Sequence, residues 1–186
     1  PLGRAIGQFA NKYIIAESVA GLVVIDQHAA HERITYEKMR MGRMKTQPLL
    51  VPIIVQMRDD FADAIAEFAD EFREAGLVVE KFGPGAIAIV EKPAEWDLEW
   101  GALLTAAAQE IIGAGHTSRV AEKLHLSLAN RACHNSVRSG RRLSIDEQNA
   151  LLREIENTER GGQCNHGRPV YRVFSVGELD GMFERK

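Results

Sequence analysis

The stretch GLVVIDQHAAHERITYEKMR, residues 21–40, decides the fold. Its first six residues are short and apolar, as a strand is. From about residue 30 to residue 44, the apolar Ile34, Met39 and Met41 recur among charges, with Gly42 near the end, and the reading turns to helix. Upstream, residues 13–17 form a second short apolar run, with Gly21 marking the turn between the two. The expectation is a hairpin that feeds directly into a helix.

Working outward, a break at Thr46-Gln47-Pro48 precedes LLVPIIVQM, a strand whose entering proline suits an edge position. Residues 59–75 read as one helix: Phe61, Ile65, Phe68 and Phe72 share a face, Asp59 and Asp60 complement its N-terminus, and Gly76 closes it. LVVEKF and AIAIVE, joined by Gly83-Pro84-Gly85, read as a hairpin. Helices are expected over residues 97–112 and 118–131. Ser144 with Glu147 and Ser175 with Glu178 are capping-box patterns that open two more, and VYRVFS between them reads as a strand. The fold class is therefore α+β. The middle strand, helix and hairpin are compact enough to form a subdomain inserted between the two ends, with residues 1–47 and 116–186 on one side and 48–115 on the other.

The 186 residues bound the chain to one large domain or two small subdomains, and 45% hydrophobic with 26% charged content excludes disordered, collagen-like and disulfide-scaffold classes. No apolar run reaches 18 residues and no signal peptide opens the chain, so membrane partners are not expected. The missing initiator Met suggests a fragment of a longer protein. Cys133 and Cys164 read as reduced thiols. The net charge of −3 is unevenly spread: residues 59–99 hold twelve acids against three bases, a net of −9, which leaves +6 for the remainder. A basic remainder can face phosphates while the acidic part points away.

Asp26, His28 and Glu32 form the strongest local constellation. At a strand end Asp26 and His28 point to one side, and in the following helix His28 and Glu32 share a face. Two readings stand: a site for a hard divalent cation or zinc, or a helix start in which Asp26 caps and Glu32 pairs with a base. Cys164 and His166, one residue apart, offer a thiolate and an imidazole, or else a buried small Cys and a surface His. With His28 and Glu32 the ligand count reaches four. Cys133 is a further ligand or a core residue. Arg131, Arg138, Arg141 and Arg142 are a basic cluster that Arg168, Arg172, Arg185 and Lys186 extend, suited to phosphates or to a solvated helix end.

These residues carry a family resemblance. DQHAAHERITYE, with Asp26, Gln27, His28, Ala29, Glu32 and Glu37, resembles the endonuclease motif of MutL-type DNA mismatch-repair proteins. QCNHGRP is similar to that family's Cys-(Pro/Asn)-His-Gly-Arg-Pro motif, Ala132-Cys133 to its Ala-Cys-Arg, and Phe183-Glu184-Arg185 to its terminal Phe-x-Arg, with His134 departing from the usual basic residue. The resemblance implies a C-terminal MutL domain: a dimerisation subdomain built from both chain ends and an external, regulatory subdomain from the middle. It implies nicking of one strand of duplex DNA, with Asp26, Glu32 and His28 holding Mn²⁺ or Mg²⁺ and Glu37 in support. Zinc in a structural or regulatory role falls to His28, Glu32, Cys164 and His166, with Cys133 open. Gln47-Pro48-Leu49-Leu50-Val51-Pro52 is similar to the family's sliding-clamp motif, with Gln47, Leu50 and Pro52 as anchors. Arg138, Arg141, Arg168 and Arg185 are the expected DNA contacts. The implied partners are a second copy, duplex DNA, the clamp, a mismatch-recognition protein and the protein's own N-terminal ATPase domain, in a cytoplasmic, nucleoid-associated setting. The apolar chain ends are the expected dimer surface. The competing class is a non-catalytic module that only dimerises and docks the clamp.

Overall fold

The computed structural model describes residues 1–94, 96–114, 125, 127–129 and 142–185. In chain order it runs β1 (Arg4–Phe9), β2 (Tyr13–Ser18), β3 (Gly21–Asp26), α1 (Gln27–Arg40), β4 (Thr46–Gln56), α2 (Asp59–Glu67) and α3 (Ala69–Glu74). It continues β5 (Val78–Lys81), β6 (Ala86–Pro93), α4 (Trp100–Ala114), α5 (Ile145–Glu156), β7 (Tyr171–Phe174) and α6 (Val176–Met182). The class is α+β with two antiparallel sheets, ordered β1-β2-β3-β7 and β4-β6-β5. The chain divides into two compact units, Pro1–Ile34 with Val137–Lys186, and Thr35–Ser136.

In the first unit, alternation along the strands sets two faces. Ala5, Ile14, Ala16, Val23 and Ile25 are buried under Ala29, Ala30 and Ile34 of α1 and Leu151, Leu152 and Ile155 of α5. The register places Phe9 opposite Tyr13, Ile15 opposite Val24 and Leu22 opposite Phe174 on the other face. There Phe9 and Tyr13 are exposed and the other four are half-buried, so this sheet is apolar on both sides. The strand β1 is absent from the sequence expectation because its pattern is weak: only Ala5 of its six residues is buried, and Ile6 falls in a register shift.

In the second unit the phenylalanine stripe forms as expected, with Phe61, Ile65 and Phe72 buried and Phe68 packed against them. The single helix expected over residues 59–75 is interrupted, because Phe68 leaves the helical region at φ −102°, ψ 25°, and separates α2 from α3. The helix expected from residue 97 starts instead at Trp100, since Glu99 accepts the Ala102 N–H at 3.0 Å and serves as its cap. Of the helix expected over residues 118–131, residues 125 and 127–129 are helical, and the rest lies outside the described residues.

The strand β4 is an edge strand, as its prolines require, and it starts at Thr46 ahead of the expected position. Pro48 pairs with Glu91 and Ile53 with Ile89. Residues 49–52 therefore span the interval that a single residue occupies on β6, a broad bulge that leaves Leu50 and Val51 exposed.

Both capping boxes are present. Glu147 N–H donates to Ser144 Oγ at 3.3 Å while Ser144 N–H donates to Glu147 Oε2 at 2.8 Å. In α6, the Ser175 hydroxyl and its backbone N–H hold the Glu178 carboxyl below the usual carboxylate range. That cap is complete with Glu178 ionised and is lost as pH falls through its lowered pKa. Replacing Ser144 with Ala removes one cap bond at the start of α5, and a loss of about 1 kcal/mol is expected. Urea unfolding checks it: the midpoint falls and the slope stays the same.

Candidate functional site

The site grows from the abrupt change of β3 into α1. Asp26 N–H donates to Val170 O at 2.8 Å and Gln27 N–H to Lys12 O at 2.9 Å, so the junction is pinned by backbone from two other segments. Asp26 Oδ1 then accepts the Ala29 N–H at 3.0 Å, which satisfies one orphan donor of the helix start. The capping reading of Asp26 is therefore real.

One turn on, His28 Nε2 lies 3.1 Å from Glu32 Oε1, with Glu32 buried and His28 partly exposed. The i, i+4 spacing brings these two donors together on one face. Glu37 is buried and bonds Arg40 Nε at 2.8 Å, an ion pair within the helix itself.

The Cys164 segment docks on this helix. The buried guanidinium of Arg33 donates from Nε to Gln163 O at 2.7 Å and from Nη2 to Cys164 O at 2.9 Å. Asn165 Nδ2 donates to Glu32 O at 3.4 Å, and Asn165 Oδ1 is buried with no hydrogen-bond partner among the described residues. The segment folds back on itself: Cys164 N–H donates to Arg168 O, Gly167 N–H to Cys164 O, and Gly167 takes φ +78°, which glycine permits. Cys164 is buried, while His166 and Arg168 are exposed.

Two motifs some 130 residues apart in sequence thus meet. The donors are right in kind for a metal, a buried carboxylate and thiol with two imidazoles. Among the described residues, no three His, Cys, Asp or Glu side chains are arranged as a ligand group, and His28–Glu32 is a pair. Cys133, Arg138 and Arg141 lie outside the described residues. Arg185 is exposed beyond α6, and Gln47, Leu50 and Pro52 are all exposed along β4. Sequence reasoning missed Arg33 and Gln27 as structural actors. Arg33 adjoins Glu32, but nothing local signals that its partners are carbonyls more than a hundred residues away.

Replacing Arg33 with Met strips two carbonyls of their charged donor, at a cost of about 1–3 kcal/mol. In a Cys133→Ser background, Cys164 should then react faster with a thiol reagent. An unchanged rate means the segment does not depend on Arg33.

The chain matches the family model of the MutL C terminal dimerisation domain over residues 6–143. It is 46% identical over 190 residues to the DNA mismatch repair protein MutL of Rhizobium rhizogenes, covering 100% of this chain and 31% of that protein. The MutL proteins of Cellvibrio japonicus and Rhodospirillum rubrum are each 43% identical, again over 100% of this chain, which covers 30% of each. The chain therefore spans less than a third of the length of these curated relatives. With about three quarters of its length under the family model and both motifs docked in one place, the chain belongs to the MutL C-terminal dimerisation domain family of DNA mismatch repair.

Proposed function

We propose that this domain is a metal-dependent nickase of duplex DNA that acts as a homodimer. The observation that carries the catalytic reading is the docking of the Cys164–His166 segment against the helix bearing His28 and Glu32, held by Arg33. Glu32 is buried beside the Cys164 segment and faces the His28 imidazole at 3.1 Å, a carboxylate and an imidazole of the kind that hold a divalent ion. In this reading Asp26, His28 and Glu32 hold Mn²⁺ or Mg²⁺. His28, Glu32, Cys164 and His166, with Cys133 as a further candidate, hold Zn²⁺. A bound divalent ion supplies charge stabilisation at a scissile phosphate and a more acidic water. The protein's own part is to fix Asp26 at the junction, to keep Glu32 out of bulk water, and to offer Arg168 and Arg185 to the backbone phosphates. Glu37 supports through its pair with Arg40.

The dimer reading rests on the first sheet, whose second face is apolar with Phe9 and Tyr13 exposed. A second copy is the occupant that the family's dimerisation role supplies. The exposed Leu50 and Val51 on the bulged β4 support clamp docking through Gln47, Leu50 and Pro52. The ATPase domain and a mismatch-recognition protein complete the proposed partners, in the nucleoid. A non-catalytic module is the second reading, favoured by the absence of a three-donor group among the described residues.

Supercoiled plasmid with Mn²⁺ at low salt, with and without clamp, separates the two. The parent is expected to nick, and Asp26→Asn to lose at least about a hundredfold, because the ion is worth several kcal/mol. Asn caps a helix as well as Asp does, so a parental rate in the variant sinks the catalytic reading. For the interface, Ile15→Glu is expected to turn a dimer into a monomer by light scattering with an unchanged circular dichroism spectrum. A dimeric variant would place the interface elsewhere.

A further inference from the structure

Gln27 sits between Asp26 and His28 and is buried, with the residue 2% exposed. Its Oε1 accepts a hydrogen bond from Gln8 Nε2 on the edge strand β1. The other end of the same carboxamide, Gln8 Oε1, accepts the backbone N–H of Leu143 at 2.8 Å. Leu143 O in turn accepts from Gln148 Nε2 at 2.9 Å, inside α5 and also 2% exposed. A relay of amides therefore runs from the first residue of α1, through one side chain of β1, to the residue ahead of the Ser144 cap. All its members belong to one compact unit.

We infer that Gln8 is a positioning residue: its two-ended carboxamide sets the orientation of the first turn of α1, and with it the directions of Asp26 and His28, by tying Gln27 to the start of α5. Three observations support this. Backbone bonds fix where the junction lies, and Arg33 with the buried Ala29, Ala30 and Ile34 holds the helix beyond it. A side chain anchored at the helix's first residue adds a restraint at the entry itself, and Gln27 is the first residue of α1. A carboxamide also offers a donor and an acceptor at once, which neither a hydroxyl nor a carboxylate matches at this span. Finally, the relay lies largely out of water, where an unmet partner is costly and geometry is held tightly.

The catalytic consequence rests on the nickase reading, and the structural one does not. Amide hydrogen exchange on the chain tests the second directly. Gln8→Met is expected to speed exchange about five- to tenfold at Gln27, Ala29 and Leu143, the effect of losing one hydrogen bond, while Ile14 and Val23 change no more than in the control Ile155→Val. The reciprocal variant Gln27→Met should speed exchange at Leu143, 116 residues away. It keeps the proposal testable should Gln8→Met fold poorly. In the plasmid assay, Gln8→Met should lower kcat about tenfold with KM little changed, and the double variant should be no slower than Gln27→Met alone. Exchange at Ala29 that matches the Ile155→Val control overturns the proposal, whether or not the parent nicks. If exchange responds while kcat equals that of the control, Gln8 is structural only and the positioning role falls.

Discussion

The rest of the first unit depends on one constraint, the immediate passage of β3 into α1 with no loop between them. A strand that ends in Asp26 and a helix that begins at Gln27 leave no residues in which to absorb error. The junction must therefore be held from outside, and it is: Val170 takes the Asp26 N–H, Lys12 takes the Gln27 N–H, and Asp26 caps the helix it precedes. Because Val170 follows the Cys164 segment, the same bond that fixes the junction also fixes the second motif beside it. Arg33 repeats the tie about two turns further along. The helix and the segment hold each other, which is why neither motif has its geometry alone.

What could be read in the sequence follows from how local each signal is. The two capping boxes depend on residues within four positions of one another and appear where the residue types demand, while the α1 helix forms over Gln27–Arg40, earlier at both ends than the expected residues 30–44. The phenylalanine stripe was equally legible, but the loosened backbone at Phe68 was not, since no residue there breaks a helix by its own chemistry. The strand β1 escaped because its partner β2 supplies the stability, and its own residues alternate poorly around Ile6. At the site, the residue types and spacing of Asp26, His28, Glu32, Cys164 and His166 were visible. The docking of the two segments that carry them was not, since it is made by a guanidinium and a carboxamide reaching carbonyls that no spacing rule connects.

The bulge in β4 shows a related economy. Prolines at 48 and 52 cannot donate to a ladder, so four residues loop out where one would do. An edge strand that exposes Leu50 and Val51 is a hazard for random pairing. Yet the same prolines remove the regular N–H row that an invading strand needs. The apolar side chains are thus displayed without a template for aggregation, a combination that favours recognition by side chains over recognition by backbone.

The capping and metal readings of Asp26 are physically compatible. A cap uses one carboxylate oxygen, and an ionised carboxylate has two. The cap also fixes the side-chain rotamer, which a ligand must otherwise hold at an entropic cost. An Asp at a helix start also sits in the partial positive charge of the helix N-terminus. That charge weakens its pull on a cation, because the helix end and the ion compete for one negative charge. The buried Glu32 has no such competitor at the helix end, and its short approach to His28 is of the kind a cation can bridge. Of the two carboxylates, then, Asp26 is the better oriented and Glu32 the more available. In the proposed nickase, a site that must hold an ion firmly and still turn over would have use for both.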